Sequence, residues 1–530
     1  METKSKHLIL FFLIIFAVYC SITQGMSWDE PNHYANGKNR LRYLFSLGNF
    51  KDYDIFFWIK YYPGLYDTLS SFVSQMIPIK YEVYAHHLIN LFFSFSALIA
   101  VSQITRIIFN RKVSKIVFFI AFLNPIFFGH MSMNPKDTII AFSYAWSIYL
   151  ILRYFKYQHI KNKRNYYSLL LGIVIGLGSG VRSIFIFSLF PIILIIIFEF
   201  FLKKENLFKK KLINLFFLNL GKIFFVAYIL MILCWPNTHS NIFVLPFKLA
   251  LESVTSAPIG TSWGLLNGEF YETSNTPKSY LVINFLYKLP EYILITYIIF
   301  VFLVFKEKLF FNNQFENFNK KIFYLLFIIL FPLFLAIFAS VKIFDGLRYF
   351  LYLIPFFCII PSLVIYYLIN HTQLFLHKLF STFVLFFFLF FLFKFFSLTP
   401  YHYTYLNIFN GKFPNASKRF ENDYWGVSIK ELVKKIEKSQ IPKENKNYKI
   451  AFCGINYEIA SYYLSKINNL QFIQTSKDEN YDYIIMTNRH NGKNDDKISD
   501  VKTCFDSYEG KYILSVKRNG LVLSTIMQKL

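Results

Sequence analysis

"HLILFFLIIFAVYCSITQGMSWDEPNHY", residues 7–34, runs straight from an apolar block into two adjacent carboxylates, Asp29 and Glu30. A helix rising 1.5 Å per residue over roughly 7–24 nearly matches the ~30 Å hydrocarbon core of a bilayer. The same kind of block recurs down the chain. Of 530 residues, 55% are hydrophobic and only 16% charged, and the apolar ones are gathered into blocks. Hydropathy places spans at roughly 7–24, 85–108, 115–131, 137–154, 166–180, 183–202, 213–235, 285–305, 321–340, 347–369 and 378–397, about eleven in all. The fold class expected is an α-helical polytopic membrane protein. The basic start "METKSK" with a short apolar core also suits a signal peptide. The residues before Cys20 lack the small side chain a lipoprotein processing site needs, and an uncleaved first helix is the expectation.

A net charge of +25 invites a nucleic-acid reading, which the placement of the charge excludes. Lys and Arg cluster in short connectors: "RIIFNRKVSK" (106–115), "RYFKYQHIKNKR" (153–164), "KKENLFKKK" (203–211) and "KEKLFFNNQFENFNKK" (306–321). By the positive-inside rule these are cytoplasmic. That orientation, with an odd number of spans, puts the N-terminus in the cytoplasm and the C-terminus outside. Loops 25–84 and 236–284 then lie outside, along with everything after about residue 398. The expected organisation is a membrane domain over 1–400, a connector over 401–424 and a small extracytoplasmic α/β domain over 425–530. Within the last, "SIKELVKKIEKS" is amphipathic, with Ile429, Leu432, Val433 and Ile436 at helical spacing. "KIAFCG" and "YDYIIMTN" are strand-like, and Asn519-Gly520 between two alternating runs signals a hairpin. Cys453 and Cys504 are free to pair if this tail is extracytoplasmic, whereas Cys20, Cys234 and Cys358 sit in or beside apolar blocks.

Every unusual polar motif falls on the outer side. Asp29 and Glu30, followed by His33 and Tyr34, are by themselves an ordinary start of a solvated loop. A carboxylate held at headgroup depth also suits a general base, or a ligand of a divalent cation. "NRLRYLFSL" after them reads as an interfacial run, with Arg40 and Arg42 near lipid headgroups. "FFGHMSMNPKDT" (127–138) packs His130, Asn134, Lys136 and Asp137 into one turn. A turn explains Asn134, Pro135 and Asp137 but not Lys136, an ammonium suited to a phosphate oxygen. "GIVIGLGSGVRS" (172–183) spaces Gly172, Gly176 and Gly180 by four, as close helix packing requires, and ends at Arg182. "VKIFDGLRYFLYLIP" (341–355) sets Asp345 and Arg348 at the entrance of a span, where an arginine is costly unless used. "LTPYHYTYLN" (398–407) alternates Tyr401, Tyr403 and Tyr405, which share a face if the segment is extended. No nucleotide-binding glycine loop, heptad or zinc spacing is present.

"SWDEPNHY" after the first span resembles the acidic first-loop motif of GT-C glycosyltransferases that use lipid-linked sugars. "GHMSMNPKD", "DGLRYFLYLIP", "PYHYTYLN" and "FENDYWGVSIKE" follow in the order of landmarks in bacterial glycosyltransferase family 39. That family is related to protein O-mannosyltransferases and lipid A aminoarabinose transferases. The resemblance implies a polyprenyl-phosphate-linked sugar as donor and an envelope glycan, lipid or protein as acceptor. It makes Asp29 the catalytic carboxylate, with Glu30 supporting it. Arg348, Lys136 and Arg182 become the donor-phosphate cations, in that order. His33, His130, Asp137, Asp345 and Tyr403 become supporting residues. The resemblance fixes no cofactor; a divalent cation is compatible with the class, whose members differ in metal use. The rival reading is a multi-pass transporter or flippase of lipid-linked precursors. Such a protein places ionisable groups and broken helices near the bilayer midplane, whereas here they gather at one face.

Overall fold

The computed structural model describes the whole chain except residues 1, 55, 203–209, 256–259, 340, 372–374, 440, 442–446, 469 and 494–495. Most of the basic connector 203–211 therefore lies outside the described residues. The chain is a polytopic helical membrane protein carrying a small C-terminal α/β layer.

Helix α1 (Glu2–Thr23) enters the membrane, and two short helices, α2 (Glu30–Phe45) and α3 (Leu65–Ser74), follow in the first loop. The α4 helix (Glu82–Ile108) crosses back, and α5 (Arg111–Phe122) begins at Asn110, whose side chain accepts from the Val113 amide. The span expected over 115–131 is broken. Pro125 has no amide to donate and disfavours a helical residue before it. Asn124 instead caps a new short helix, α6 (Pro125–His130), by accepting from the Ile126 and Phe127 amides. Next come α7 (Asp137–Tyr157), α8 (Lys161–Ser179), α9 (Phe190–Leu202), α10 (Lys210–Leu233) and α11 (Leu245–Thr255). Gly172 and Gly176 do what their spacing predicts: a Cβ on either would stand 2.9 or 2.8 Å from side chains of α10, Val226 and Leu230.

A hairpin of β1 (Trp263–Leu266) and β2 (Glu269–Glu272) precedes α12 (Tyr280–Lys288). The span expected over 285–305 bends by 107° at Leu289–Pro290, between α12 and α13 (Glu291–Lys306). After α14 (Lys308–Gln314) and α15 (Phe318–Phe338), the span expected over 347–369 divides as well. A 3₁₀ turn at Arg348–Phe350 leads to α16 (Ile354–Phe357) and α17 (Ile359–Asn370), before α18 (Phe375–Ser397). Against about eleven expected spans, five helices among the described residues are long and apolar enough to cross, six with the bent pair. Part of the shortfall arises where 3₁₀ turns and prolines divide apolar sequence, as at 183–199 and 354–370, whereas α1 runs unbroken.

After α18 the segment whose tyrosines would share a face if extended forms a 3₁₀ turn at His402–Thr404. Tyr401, Tyr403 and Tyr405 therefore leave in different directions, donating to Glu431, Asp423 and Glu291. The C-terminal layer holds α19 (Ile429–Glu437), β3 (Asn447–Cys453), α20 (Tyr457–Leu464), β4 (Gln471–Gln474), β5 (Tyr483–Thr487), α21 (Cys504–Ser507), β6 (Lys511–Arg518) and β7 (Leu521–Gln528). Its strand order is β4-β3-β5-β7-β6, parallel through β5 and antiparallel beyond. The four apolar residues foreseen on α19 are buried, and Asn519-Gly520 turns the β6–β7 hairpin with both φ positive. Cys453 and Cys504 form a disulfide.

This layer clamps the start of the first loop. The Gly25 amide donates to Val427 O, the Met26 amide to Tyr463 Oη, and Asn456 Nδ2 to Trp28 O. Lys430 Nζ reaches the carbonyls of Ile22 and Gln24. Residues 400 positions apart thus fix where Asp29 stands.

Candidate active site

Four of the sequence motifs converge beside Asp29. Its Oδ2 lies 3.1 Å from Lys136 Nζ and 3.8 Å from Arg348 Nη1, and the carboxylate keeps 24% of its surface exposed. Lys136 sits over the Tyr62 ring at 4.8 Å and is otherwise walled in. Arg182 Nη2 lies 3.0 Å from Asp137 Oδ1. Asp137 is the first residue of α7 and not its cap; Asn134 holds the turn before it, accepting from the Lys136 and Asp137 amides and donating to Asp137 Oδ2. The turn that looked sufficient to explain Asp137 thus frees its carboxylate for Arg182.

Arg348 stacks among Phe344, Tyr349 and Trp425 at 4.7, 4.8 and 5.2 Å. Its Nη2 donates to Tyr349 Oη, and its Nε lies 3.4 Å from Asp345 Oδ2 without the geometry of a hydrogen bond. Asp345 itself stands at φ 58° and Gly346 at φ 70°, two left-handed residues in succession. That conformation is uncommon for a residue with a Cβ. Trp425 Nε1 donates to Asp345 Oδ2, and Arg489 Nη2 lies 3.3 Å from its Oδ1. Arg182 Nε and Arg348 Nε are buried without hydrogen-bond partners among the described residues.

Glu30 does not join this group. It is buried, with Oε2 accepting from the Ser27 amide, Oε1 accepting from Tyr34 Oη, and His87 Nε2 2.9 Å away. His33 turns to Asp67, 2.9 Å away, which also accepts from Asn36 Nδ2. His130 bonds Tyr424 Oη and Asn134, tying the second-loop turn to the 420–428 motif. Tyr403 holds Asp423, whose carboxylate accepts from the Val427 and Ser428 amides, so it fixes the tail rather than touching Asp29. Arg40, expected at the headgroups, is fully buried instead. It donates to Asn36 and to the carbonyls of Ile59, Tyr62, Pro63 and Cys234, pinning the loop around Tyr62.

The electrostatics follow from the pairing. Burial pushes the Asp29 carboxyl up, but Lys136 and Arg348 outweigh it and hold the group well below the usual carboxylate range. Burial pulls the Lys136 ammonium down, and Asp29 more than restores it. Glu421 behaves oppositely: burial carries it up to about 7, against the pull of Arg489. Among the described residues no three His, Cys, Asp or Glu side chains converge to hold a metal ion. Asp29 Oδ2 already faces two cations, so the donor set suits an anion better than a divalent cation.

Sequence reasoning missed Tyr62, Asp67, Lys288, Glu421, Trp425 and Arg489. Glu421 and Trp425 lay inside a quoted motif. Lys288, buried with its Nζ 5.5 Å over the Tyr424 ring, and Arg489 carried no local signal, because only the helix bend and the C-terminal layer bring them inward.

No family model matches the chain, and no curated protein matches it. Among solved structures, the oligosaccharyltransferase AglB from Archaeoglobus fulgidus, in complex with an inhibitory peptide and a dolichol-phosphate, aligns with a TM-score of 0.51 at 12% identity. The alignment covers 92% of this chain and 70% of that one. ArnT from Cupriavidus metallidurans aligns over 99% of this chain and 98% of its own at 10% identity, with a TM-score of 0.49 in the apo state. The chain therefore has the GT-C membrane fold that the archaeal oligosaccharyltransferase shares.

Proposed function

We propose that the protein is a membrane glycosyltransferase. It moves a sugar from a polyprenyl-phosphate donor to an envelope acceptor at the outer face of the bacterial inner membrane. The observation that carries this reading is Asp29, partly open to solvent and set against Lys136 and Arg348. In the reaction the acceptor oxygen or nitrogen bonds to the anomeric carbon and its proton passes to Asp29. The bond from that carbon to the phosphate oxygen breaks, and its electron pair leaves with the phosphate. Lys136, Arg348 and Arg182 are the cations that receive this charge, the first two from largely buried positions where each contact is strengthened. An outward-facing site and tail agree with the basic connectors, and the Cys453–Cys504 disulfide suits an oxidising compartment. The similarity in fold to an oligosaccharyltransferase solved in complex with a dolichol-phosphate supports a lipid-phosphate donor.

While both cations hold it ionised, Asp29 is a poor base. A donor phosphate that engages Lys136 and Arg348 relaxes that hold, so the base gains strength when the donor is present. The test uses full-length protein in lipid nanodiscs, supplied with a panel of undecaprenyl-phosphate sugars and envelope extract. Release of undecaprenyl phosphate is the expected result, and Asp29→Asn abolishes it. Wild-type release by that variant would remove Asp29 from the mechanism.

A further inference from the structure

Arg489 reaches the membrane site from the C-terminal layer. Its guanidinium lies 4.9 Å over the Trp28 ring, one residue before Asp29, and its Nη2 faces Asp345 Oδ1 at 3.3 Å. Asp345 Oδ2 in turn faces Arg348 Nε, and Arg348 Nη1 faces Asp29. A single chain of charges therefore runs from the C-terminal layer to the carboxylate. Both side chains at its junction are closed in, with Arg489 9% exposed and Asp345 2%. Asp345 Oδ1 makes no hydrogen bond among the described residues, so Arg489 holds it as an ion pair at 3.3 Å, with Lys288 acting on the same carboxylate from farther off.

The backbone of Arg489 is held as firmly as its side chain. Its carbonyl accepts from the Cys504 amide, and Cys504 is disulfide-bonded to Cys453 at the end of β3. The next residue, Gly454, is at φ 69°, and a Cβ there would stand 2.9 Å from Arg489 Cβ and 3.1 Å from Cys504 Sγ. Arg489 Nη1 also donates to the Tyr424 carbonyl, next to Trp425, which both bonds Asp345 and stacks on Arg348. An arginine fork is suited to this work, since one planar group serves two acceptors and stacks on a ring at once.

We propose that Arg489 is a positioning residue of the transfer site. Supplied by the C-terminal layer, it fixes Asp345 and through it sets Arg348 for a polyprenyl phosphate. The layer thereby completes the site, and the disulfide keeps its contribution in place. This inference rests on the glycosyltransferase reading above.

The experiment is equilibrium binding of radiolabelled undecaprenyl phosphate to the full chain in nanodiscs. Wild type, Arg489→Gln, Asp345→Asn and the double variant are compared, with Arg518→Ala as control. Arg518 lies in the same layer but pairs with Glu431, away from the site. Each single variant is expected to weaken binding about tenfold, and the double variant no more than either alone, as coupled neighbours behave. The control is expected to bind as wild type does. A merely structural Arg489 would give additive losses, shared by Arg518→Ala, and would overturn the proposal. Arg489→Lys, which keeps the charge but loses the fork, is expected to bind between wild type and Arg489→Gln, and full affinity in it would also overturn the proposal. Absence of binding by the wild type would instead overturn the donor assignment itself, and this inference with it.

Discussion

Arg40 and Arg348 are both buried arginines on the outer side of the same protein, and they are satisfied in opposite ways. Arg40 is enclosed by four carbonyls and an asparagine, so every face of its fork is bonded. Arg348 has aromatic rings on its faces, one hydrogen bond to Tyr349, and an Nε left without one. Asp29 and Glu30 repeat the contrast between adjacent residues. Glu30 is closed by Ser27, Tyr34 and His87, whereas Asp29 is partly open and shares a single oxygen with two cations. A buried charge with its hydrogen bonds complete serves the fold. One held by charge alone, with bonding capacity left over, is poised for a ligand.

The contrast breaks most visibly at the carboxylates. Asp29→Asn is expected to lower transfer by about 10²–10⁴-fold, the usual worth of a general base. It is also expected to tighten undecaprenyl phosphate binding, because the internal anion competing for Lys136 and Arg348 is gone. Weaker binding by this variant would show that Asp29 holds the donor rather than competing with it. The arginines come next. Arg40→Met should destabilise the protein by about 3–5 kcal/mol, since it orphans buried carbonyls and the Asn36–Asp67 network, and thermal unfolding in detergent would record it. Arg348→Met should leave the unfolding temperature nearly unchanged while undecaprenyl phosphate affinity falls. Equal loss of stability in the two variants would erase the distinction.

Glu30→Gln sharpens the same point at smaller scale. One buried acceptor becomes a donor, costing about 1–3 kcal/mol, while the folded fraction is expected to keep transfer activity. A folded Glu30→Gln variant without transfer would return Glu30 to the catalytic group. The remaining effect is a pH dependence. Glu421 is raised by burial from 4.5 to about 7, so the folded state holds its proton more tightly than the unfolded chain. That contribution is fully present below about pH 4.5 and is lost as pH rises through about 7. At ~1.4 kcal/mol per pH unit the loss reaches about 3 kcal/mol. Glu421→Gln should flatten this fall, gaining stability over wild type at pH 8 and little at pH 5. Parallel unfolding curves across that range would contradict the assignment.

The apolar blocks were legible because burying a span in lipid demands a continuous apolar run, and α19 and the Asn519-Gly520 hairpin were legible because local periodicity and turn chemistry decide them. The grouping of Asp29, Lys136, Arg182 and Arg348 was legible as four motifs on one side of the membrane. The breaks at Asn124–Pro125 and Leu289–Pro290 were not, since hydropathy sums over a proline without registering the lost amide. The tyrosines of 401–405 misled for a related reason: alternation predicts a shared face only if the segment is extended, and tertiary partners coil it instead.

The sequence by itself determined that this chain lives in a membrane, where its polar motifs gather, and that Asp29 merits attention beside them. Only the tertiary structure separated the surroundings of Asp29 from those of Glu30, because adjacent residues carry the same local signal and differ in which partners enclose them. It also decided that Arg40 is a structural pin and that Arg489, far down the chain, belongs to the site. Hydrophobic periodicity is a local property that sequence records directly. The satisfaction of a buried charge depends on groups hundreds of residues away, and it becomes visible only once they meet.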